Sequence, residues 1–73
     1  MEHKERITGY FERVIFKNES NFYMVASFYT DSLSLDEIIV VGHMNDLDYD
    51  QEYTLYGNFV DHPTYGMQFS FLN

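Results

Sequence analysis

The residues of this sequence that could do chemistry are few and are dispersed along the chain. Asp46, Asp48 and Asp50 alternate like the opening of a calcium-binding loop, which needs glycine at its sixth position and glutamate at its twelfth. Those two positions hold Gln51 and Gly57. We therefore interpret the acidic run as a solvated loop and predict no metal site there.

The three histidines, His3, His43 and His62, offer no catalytic arrangement. None of them has a nucleophile or a second metal ligand nearby at a diagnostic spacing. The chain has no cysteine, which excludes a disulfide framework and a zinc ribbon. Glycine-rich phosphate-binding motifs are absent too. We therefore predict no catalytic residue, no metal and no cofactor within these 73 residues.

Binding through surface side chains is the chemistry that remains. Aromatic side chains on the outer face of a sheet stack on the bases of single-stranded nucleic acid, and Lys or Arg contacts its phosphates. The candidate nucleic-acid-binding residues are Arg13, Lys17, Tyr10, Ile15, Tyr29 and Tyr56, with Arg13 and Lys17 expected to face outward beside Ile15. The alternative is that a domain with seven Phe and seven Tyr cannot bury all of its rings.

The charge distribution argues against tight binding to DNA. The net charge is −8, and all four basic residues lie within residues 1–17. Residues 21–73 contain eight acids and no Lys or Arg, so they carry the whole net charge. Because non-specific affinity for DNA comes largely from cations that displace counterions, we expect the isolated domain to bind single-stranded DNA weakly.

The length of 73 residues predicts a single domain over residues 1–73. No apolar run approaches the length of a membrane span, and the N-terminus lacks the apolar core of a signal peptide. We therefore expect a cytoplasmic location and no membrane partner.

Five segments have the pattern of β-strands. Residues 6–17 and 22–30 flank four turn-prone residues and predict a β-hairpin. Further strands are predicted at 37–43, 52–61 and 65–72, with a polar loop at 31–36 and at most one short helical turn near 45–50. The third strand is apolar on both faces, which is typical of a central strand that is covered on both sides. The pattern indicates an all-β barrel or sandwich.

The first strand carries a change of parity. Ile7 and Phe11 share one face, whereas Val14 and Phe16 have the opposite parity. All four can point inward only if an extra residue is inserted near residues 12–13, as in a β-bulge, which also bends the strand. A bent first strand can serve both halves of a small barrel.

Three segments share a known pattern. They are Ile-Thr-Gly-Tyr-Phe-Glu-Arg-Val-Ile-Phe-Lys-Asn-Glu-Ser-Asn-Phe-Tyr (residues 7–23), Val-Val-Gly (residues 40–42) and Gly-Asn-Phe-Val-Asp-His-Pro-Thr-Tyr-Gly-Met-Gln-Phe (residues 57–69). From the first to the last, these segments extend over residues 7–69, which is nearly the whole length of the chain. They resemble the opening of the long RecD-like, YrrC-type ATP-dependent DNA helicases of Gram-positive bacteria (exodeoxyribonuclease V alpha-chain-like).

The resemblance implies a five-stranded, partly open antiparallel barrel of the oligonucleotide/oligosaccharide-binding (OB) type. It also implies a non-catalytic N-terminal accessory domain of a 5′→3′ DNA helicase that acts in DNA recombination or repair. ATP and Mg²⁺ would belong to motor domains of the parent protein, whose ATPase motifs match no position here.

Two functions remain open. The domain guides single-stranded DNA to a motor, or it docks against the rest of its own helicase chain or a partner protein. A stand-alone module of either kind is the alternative.

Overall fold

The structure, a computed structural model, describes residues 4–31 and 37–72. The strands are β1 (Glu5–Lys17), β2 (Tyr23–Thr30), β3 (Glu37–His43), β4 (Tyr53–His62) and β5 (Gly66–Leu72). Each bound lies within one residue of its prediction, and the described residues contain no helix. The all-β prediction is therefore confirmed. Apart from Asp31, the predicted polar loop at residues 31–36 lies outside the described residues.

The five strands form one sheet that closes on itself in the order β1-β2-β3-β5-β4. β1 pairs with β2 along residues 9–17 and with β4 along residues 5–9, so it serves both halves of the ring as predicted. All neighbours are antiparallel except β3 and β5, which are parallel over three residue pairs. This short contact closes the ring without making a regular barrel, and the OB-like prediction is confirmed.

Two register shifts, not one, bend β1. The first lies between Phe11 and Arg13, where a bulge was predicted, and the second between Val14 and Phe16. Because each extra residue reverses the face of those that follow, the second shift turns Phe16 outward, and its side chain is 51% exposed. The prediction that Phe16 points inward is wrong.

Side chains fill the interior of the ring. Phe11 contacts Phe28 and Tyr53 edge-to-face, with ring centroids 5.0 and 5.3 Å apart, a geometry that stabilises aromatic cores. The buried hydrophobic core comprises Ile7, Phe11, Met24, Ala26, Phe28, Ile38, Val40, Leu55, Phe69 and Phe71. Since the interior is packed, binding must use the outer face of the sheet or the loops.

Candidate binding groove

A shallow apolar groove crosses the outer face of the sheet, over the end of β1 and strands β2, β3 and β5. Val25 pairs with both Phe16 and Val41, and these three side chains form a row across the strands. The groove has a volume of about 590 Å³, within the usual range of ligand sites. Its lining residues are Ile15, Phe16, Tyr23, Val25, Ile39, Val41, His62, Tyr65 and Gln68.

The outer face of β3 is uncovered in the part of the chain that the structure describes. Ile38 and Val40 are buried in the core, and Ile39 and Val41 point the other way and are half-buried at the groove. The expectation that this strand is covered on both sides is therefore wrong for the described residues. An apolar strand face that stays partly exposed is typical of a binding surface.

The loop between β1 and β2 connects the groove residues Phe16 and Tyr23 and fixes the start of β2. The amide of Asn18 donates to the Tyr23 carbonyl oxygen (2.8 Å), and the amide of Phe22 donates to the Asn18 carbonyl oxygen (2.7 Å). The hairpin is confirmed, but its loop has five residues rather than four. Phe22 belongs to the loop, and its φ of +64° lies in the left-handed region, which a bulky residue rarely adopts.

The turn between β4 and β5 supplies His62 and Tyr65 to the groove. His62 Nδ1 accepts hydrogen bonds from the amides of Thr64 (3.1 Å) and Tyr65 (3.2 Å). The His62 and Tyr65 rings lie 4.9 Å apart, and Gly66 closes the turn with a φ of +86°. The His-Pro-Thr-Tyr-Gly sequence therefore encodes a turn that holds Tyr65 at the surface, where its side chain is 76% exposed.

The four apolar candidates from the sequence are exposed but do not form one surface. Tyr10, Ile15, Tyr29 and Tyr56 are 44–49% exposed, as expected for outward residues. Ile15 lines the groove. Tyr10 pairs with Tyr29 across β1 and β2, and both line a separate cleft. Tyr56 lies on β4 opposite Arg6, outside both.

The two cationic candidates are not paired beside Ile15 either. Lys17 lies opposite the fully buried Met24 because of the second register shift, so its expected outward orientation is wrong. Its Nζ donates to the Asn45 carbonyl oxygen at 2.7 Å, at one end of the ring. Arg13 is exposed on β1. Among the described residues that line the groove, none is Lys or Arg.

Two glutamates lie beside the groove on the same outer face. Ser27 Oγ and Tyr29 Oη donate to the two carboxylate oxygens of Glu12, at 2.9 and 3.0 Å. These two hydrogen bonds lower the pKa of Glu12 below its ordinary value. A hydrogen bond with Glu37 and the positive charge of Arg13 lower it further, by smaller amounts. The hydrogen bond to Glu12, and then its negative charge, raise the pKa of Glu37. The hydrogen bond between the two carboxyl groups therefore forms when Glu37 carries a proton.

The acidic run lies between β3 and β4, and its end forms a turn. Asp48 Oδ1 accepts from the Asp50 amide, and the Asp48 amide donates to the Tyr53 hydroxyl, both at 2.9 Å. Within the described ranges, no group of three or more metal-ligating side chains could hold an ion. The aspartates thus shape the chain between β3 and β4.

Comparison with known families identifies this fold. The family model for the OB-fold domain of the ATP-dependent DNA helicase YrrC matches residues 4–73. The chain belongs to this family. The resemblance read from the sequence is thereby confirmed. No curated protein and no solved structure matches the chain significantly. No helix in the described part of this family member is long and apolar enough to cross a membrane.

Sequence reasoning missed most of the groove. Phe16 was assigned to the core, and Tyr23, Val25, Ile39, Val41, Tyr65 and Gln68 were not named as site residues. The signal that could have found them is the third strand, because both of its faces are apolar and no element in the described ranges covers the second face. In OB folds, the face of the second and third strands and the loops after the first and fourth strands form the ligand site, which is the position of this groove.

Proposed function

We propose that the chain is a non-catalytic accessory domain of a RecD-like ATP-dependent DNA helicase and that it works by docking on protein. This proposal rests on the apolar groove, because none of the described residues that line it is Lys or Arg. Family membership supports the helicase context. ATP hydrolysis with Mg²⁺, a role in DNA recombination or repair, and a cytoplasmic location belong to this proposal through the parent helicase.

The charges favour protein over DNA as the main ligand. Each phosphate contact needs a cation that displaces a counterion. Lys17 is already held by the Asn45 carbonyl oxygen and lies 5.8 Å from the Phe22 ring centroid. Arg13 adjoins Glu12 and Glu37, which offset its charge. We therefore expect an isolated domain with a net charge of −8 to bind DNA with a Kd of ~10⁻⁴ M or weaker at physiological salt, which is the weak end of non-specific binding.

Weak contact with single-stranded DNA is the second candidate function. The rings of Phe16, Tyr23 and Tyr65 are exposed and line the groove. Stacking on such rings contributes ~1–3 kcal/mol per base without sequence preference. In this alternative the domain makes additional weak contacts with single-stranded DNA that is bound mainly by the motor domains.

Fluorescence anisotropy separates the two functions. The probe is labelled oligothymidylate of about 20 nucleotides, longer than the ~4–16 that one OB fold occupies. We expect no saturable micromolar binding, and any signal at low salt should vanish in the Arg13→Ala/Lys17→Ala variant. Tight, salt-resistant binding would overturn the docking proposal.

A second experiment tests docking directly. The chain is added to a YrrC-type helicase from which its own OB domain has been removed, and co-purification is measured. We expect the wild-type chain and Leu72→Asp to co-purify with the truncated helicase. We expect Ile15→Asp not to co-purify. Leu72 is the matched control because it is 55% exposed, as against 49% for Ile15, but does not line the groove. Equal binding by Ile15→Asp and Leu72→Asp would show that the groove is not the docking surface.

A further inference from the structure

The groove has an apolar floor and one acidic end. On β3, Glu37 lies two residues before Ile39, and the two residues point to the same outer face. Across the sheet, Ile39 pairs with Ser27 and Glu37 pairs with Tyr29. Ser27 and Tyr29 are the residues whose hydroxyl groups hold Glu12. The carboxyl pair is therefore the direct continuation of the groove toward the start of β3.

The hydroxyl donors fix this acidic end. Both oxygens of Glu12 accept hydrogen bonds, so its carboxylate is oriented before any ligand arrives. Glu37 and Glu12 are close enough to share a proton. Two neighbouring carboxylates repel each other when both are charged, and an amine or guanidinium group placed between them would replace that proton. Arg13 lies near enough to offset part of their charge, yet both carboxyls remain exposed to solvent.

Charge selects among the possible occupants of the groove. A second copy of this chain would bring a further net charge of −8 to the same face, and DNA would bring a polyanion. DNA offers no cation to the carboxyl pair, and a second copy would bring only four basic residues against twelve acidic ones. A peptide segment with apolar side chains and a basic residue complements both the floor and the end of the groove, because complementary charges fix register and exclude wrong partners.

We propose that the groove binds an apolar peptide segment of the parent helicase, which places a lysine or arginine between Glu12 and Glu37. This inference rests on the proposed docking function and names the chemistry of the docked segment. The apolar residues of the segment cover Val25, Ile39 and Val41, and its basic residue sets the register. The segment thereby covers the outer face of β3 that the described part of the chain leaves open.

Selection from a random peptide library tests the proposal. The peptides are about twelve residues long, enough at ~3.3 Å each to cross the sheet. The wild-type chain is the target, and Ile15→Asp is the counter-target. We expect the selected peptides to carry apolar residues next to a Lys or Arg. Peptides without a basic residue, acidic peptides, or no selection that depends on the groove would overturn the proposal.

The affinity of one selected peptide for variants of the chain assigns the two parts of the site. An apolar anchor in a groove is worth about tenfold or more in affinity, so Ile15→Asp should weaken binding by that factor, while Leu72→Asp should not. Glu12→Gln/Glu37→Gln, which preserves shape, should weaken binding by up to about fivefold, the range of an exposed ion pair. Replacing the basic residue of the peptide with glutamine should cause the same loss in the wild-type chain and no further loss in the double variant.

Arg13→Ala separates this ligand from DNA. Removing Arg13 leaves Glu12 and Glu37 without their neighbouring cation, so the basic peptide should bind at least as tightly as before. DNA binding, in contrast, should weaken. If Arg13→Ala weakens peptide binding as it weakens DNA binding, the proposed role of the carboxyl pair is wrong. If no peptide is selected but the chain still docks on the truncated helicase, this inference fails and the docking function stands.

Discussion

Gly57 of β4 lies directly opposite Phe71 of β5, and the two strands pack with no room for a side chain at position 57. A Cβ atom there would collide with the Ser70 carbonyl oxygen and lie 2.8 Å from Phe71 Cα. Both obstacles are backbone atoms, which cannot move aside by rotation as a flexible side chain would. The close approach of β4 and β5 therefore requires glycine.

Gly57→Val should destabilise the fold. The added side chain forces the two strands apart and overpacks the core, which costs about 1–3 kcal/mol. Urea denaturation monitored by tyrosine fluorescence measures the change. Tyr56→Phe, on the adjacent outward position, is the control and should stay within about 0.5 kcal/mol of wild type. Equal stability of the two variants would mean that the face assignment of β4 is wrong.

Phe22 supplies a test of backbone strain in the β1–β2 loop. Its φ of +64° costs an L-residue about 1–2 kcal/mol, and glycine adopts this conformation freely. Phe22→Gly and Phe22→Ala both remove the ring, but only the first also removes the strain. We expect Phe22→Gly to be about 1 kcal/mol more stable than Phe22→Ala in thermal unfolding. The reverse order would place residue 22 outside the left-handed region.

His62 organises the β4–β5 turn through one nitrogen atom. His62→Ala leaves the amides of Thr64 and Tyr65 without their acceptor, which should cost about 1 kcal/mol. His62→Asn should recover most of this stability, because an asparagine side-chain oxygen accepts bonds from amides two or three residues ahead. Hydrogen exchange at the two amides reports the loss directly. Unchanged protection in His62→Ala would show that the turn is held by other contacts.

Most of the fold could be predicted from the sequence, because strand patterns and turn residues are local. The five strands and the first bulge follow from side-chain alternation and parity. The second register shift could not be predicted, since Phe16 is as apolar as the core residues and parity alone gives no sign of a further inserted residue. Its position depends on how β2 pairs with β1, which is a long-range contact.

The binding groove was less predictable for the same reason. Ile39 and Gln68 become neighbours only when β3 and β5 pair in parallel, a contact between strands far apart in the sequence. The carboxyl pair likewise joins Glu12 of β1 to Glu37 of β3 across β2. The exposure of single residues such as Ile15 and Tyr29 followed from alternation, but their assembly into separate surfaces did not.

The pair of Glu12 and Glu37 makes stability depend on pH in two directions. The hydrogen bond to Glu12 raises the pKa of Glu37, so the folded state holds this proton more tightly than the unfolded chain does. Stability from Glu37 is present below its ordinary pKa of 4.5 and is lost as pH rises from 4.5 through the raised pKa. The pKa of Glu12 is lowered, so its contribution is present above 4.5 and is lost as pH falls below that value.

Glu37→Gln isolates the first of these effects. The amide of glutamine donates to Glu12 at every pH and carries no charge that repels it. We expect the variant to have a higher melting temperature than wild type near neutral pH. The difference in melting temperature should become smaller as pH falls to 4.5, because Glu37 of the wild type then gains its proton. Glu19→Gln, which removes the same charge from the exposed β1–β2 loop, controls for net charge. A gain from Glu37→Gln that equals the control, or that does not change with pH, would mean that the two carboxyls do not share a proton.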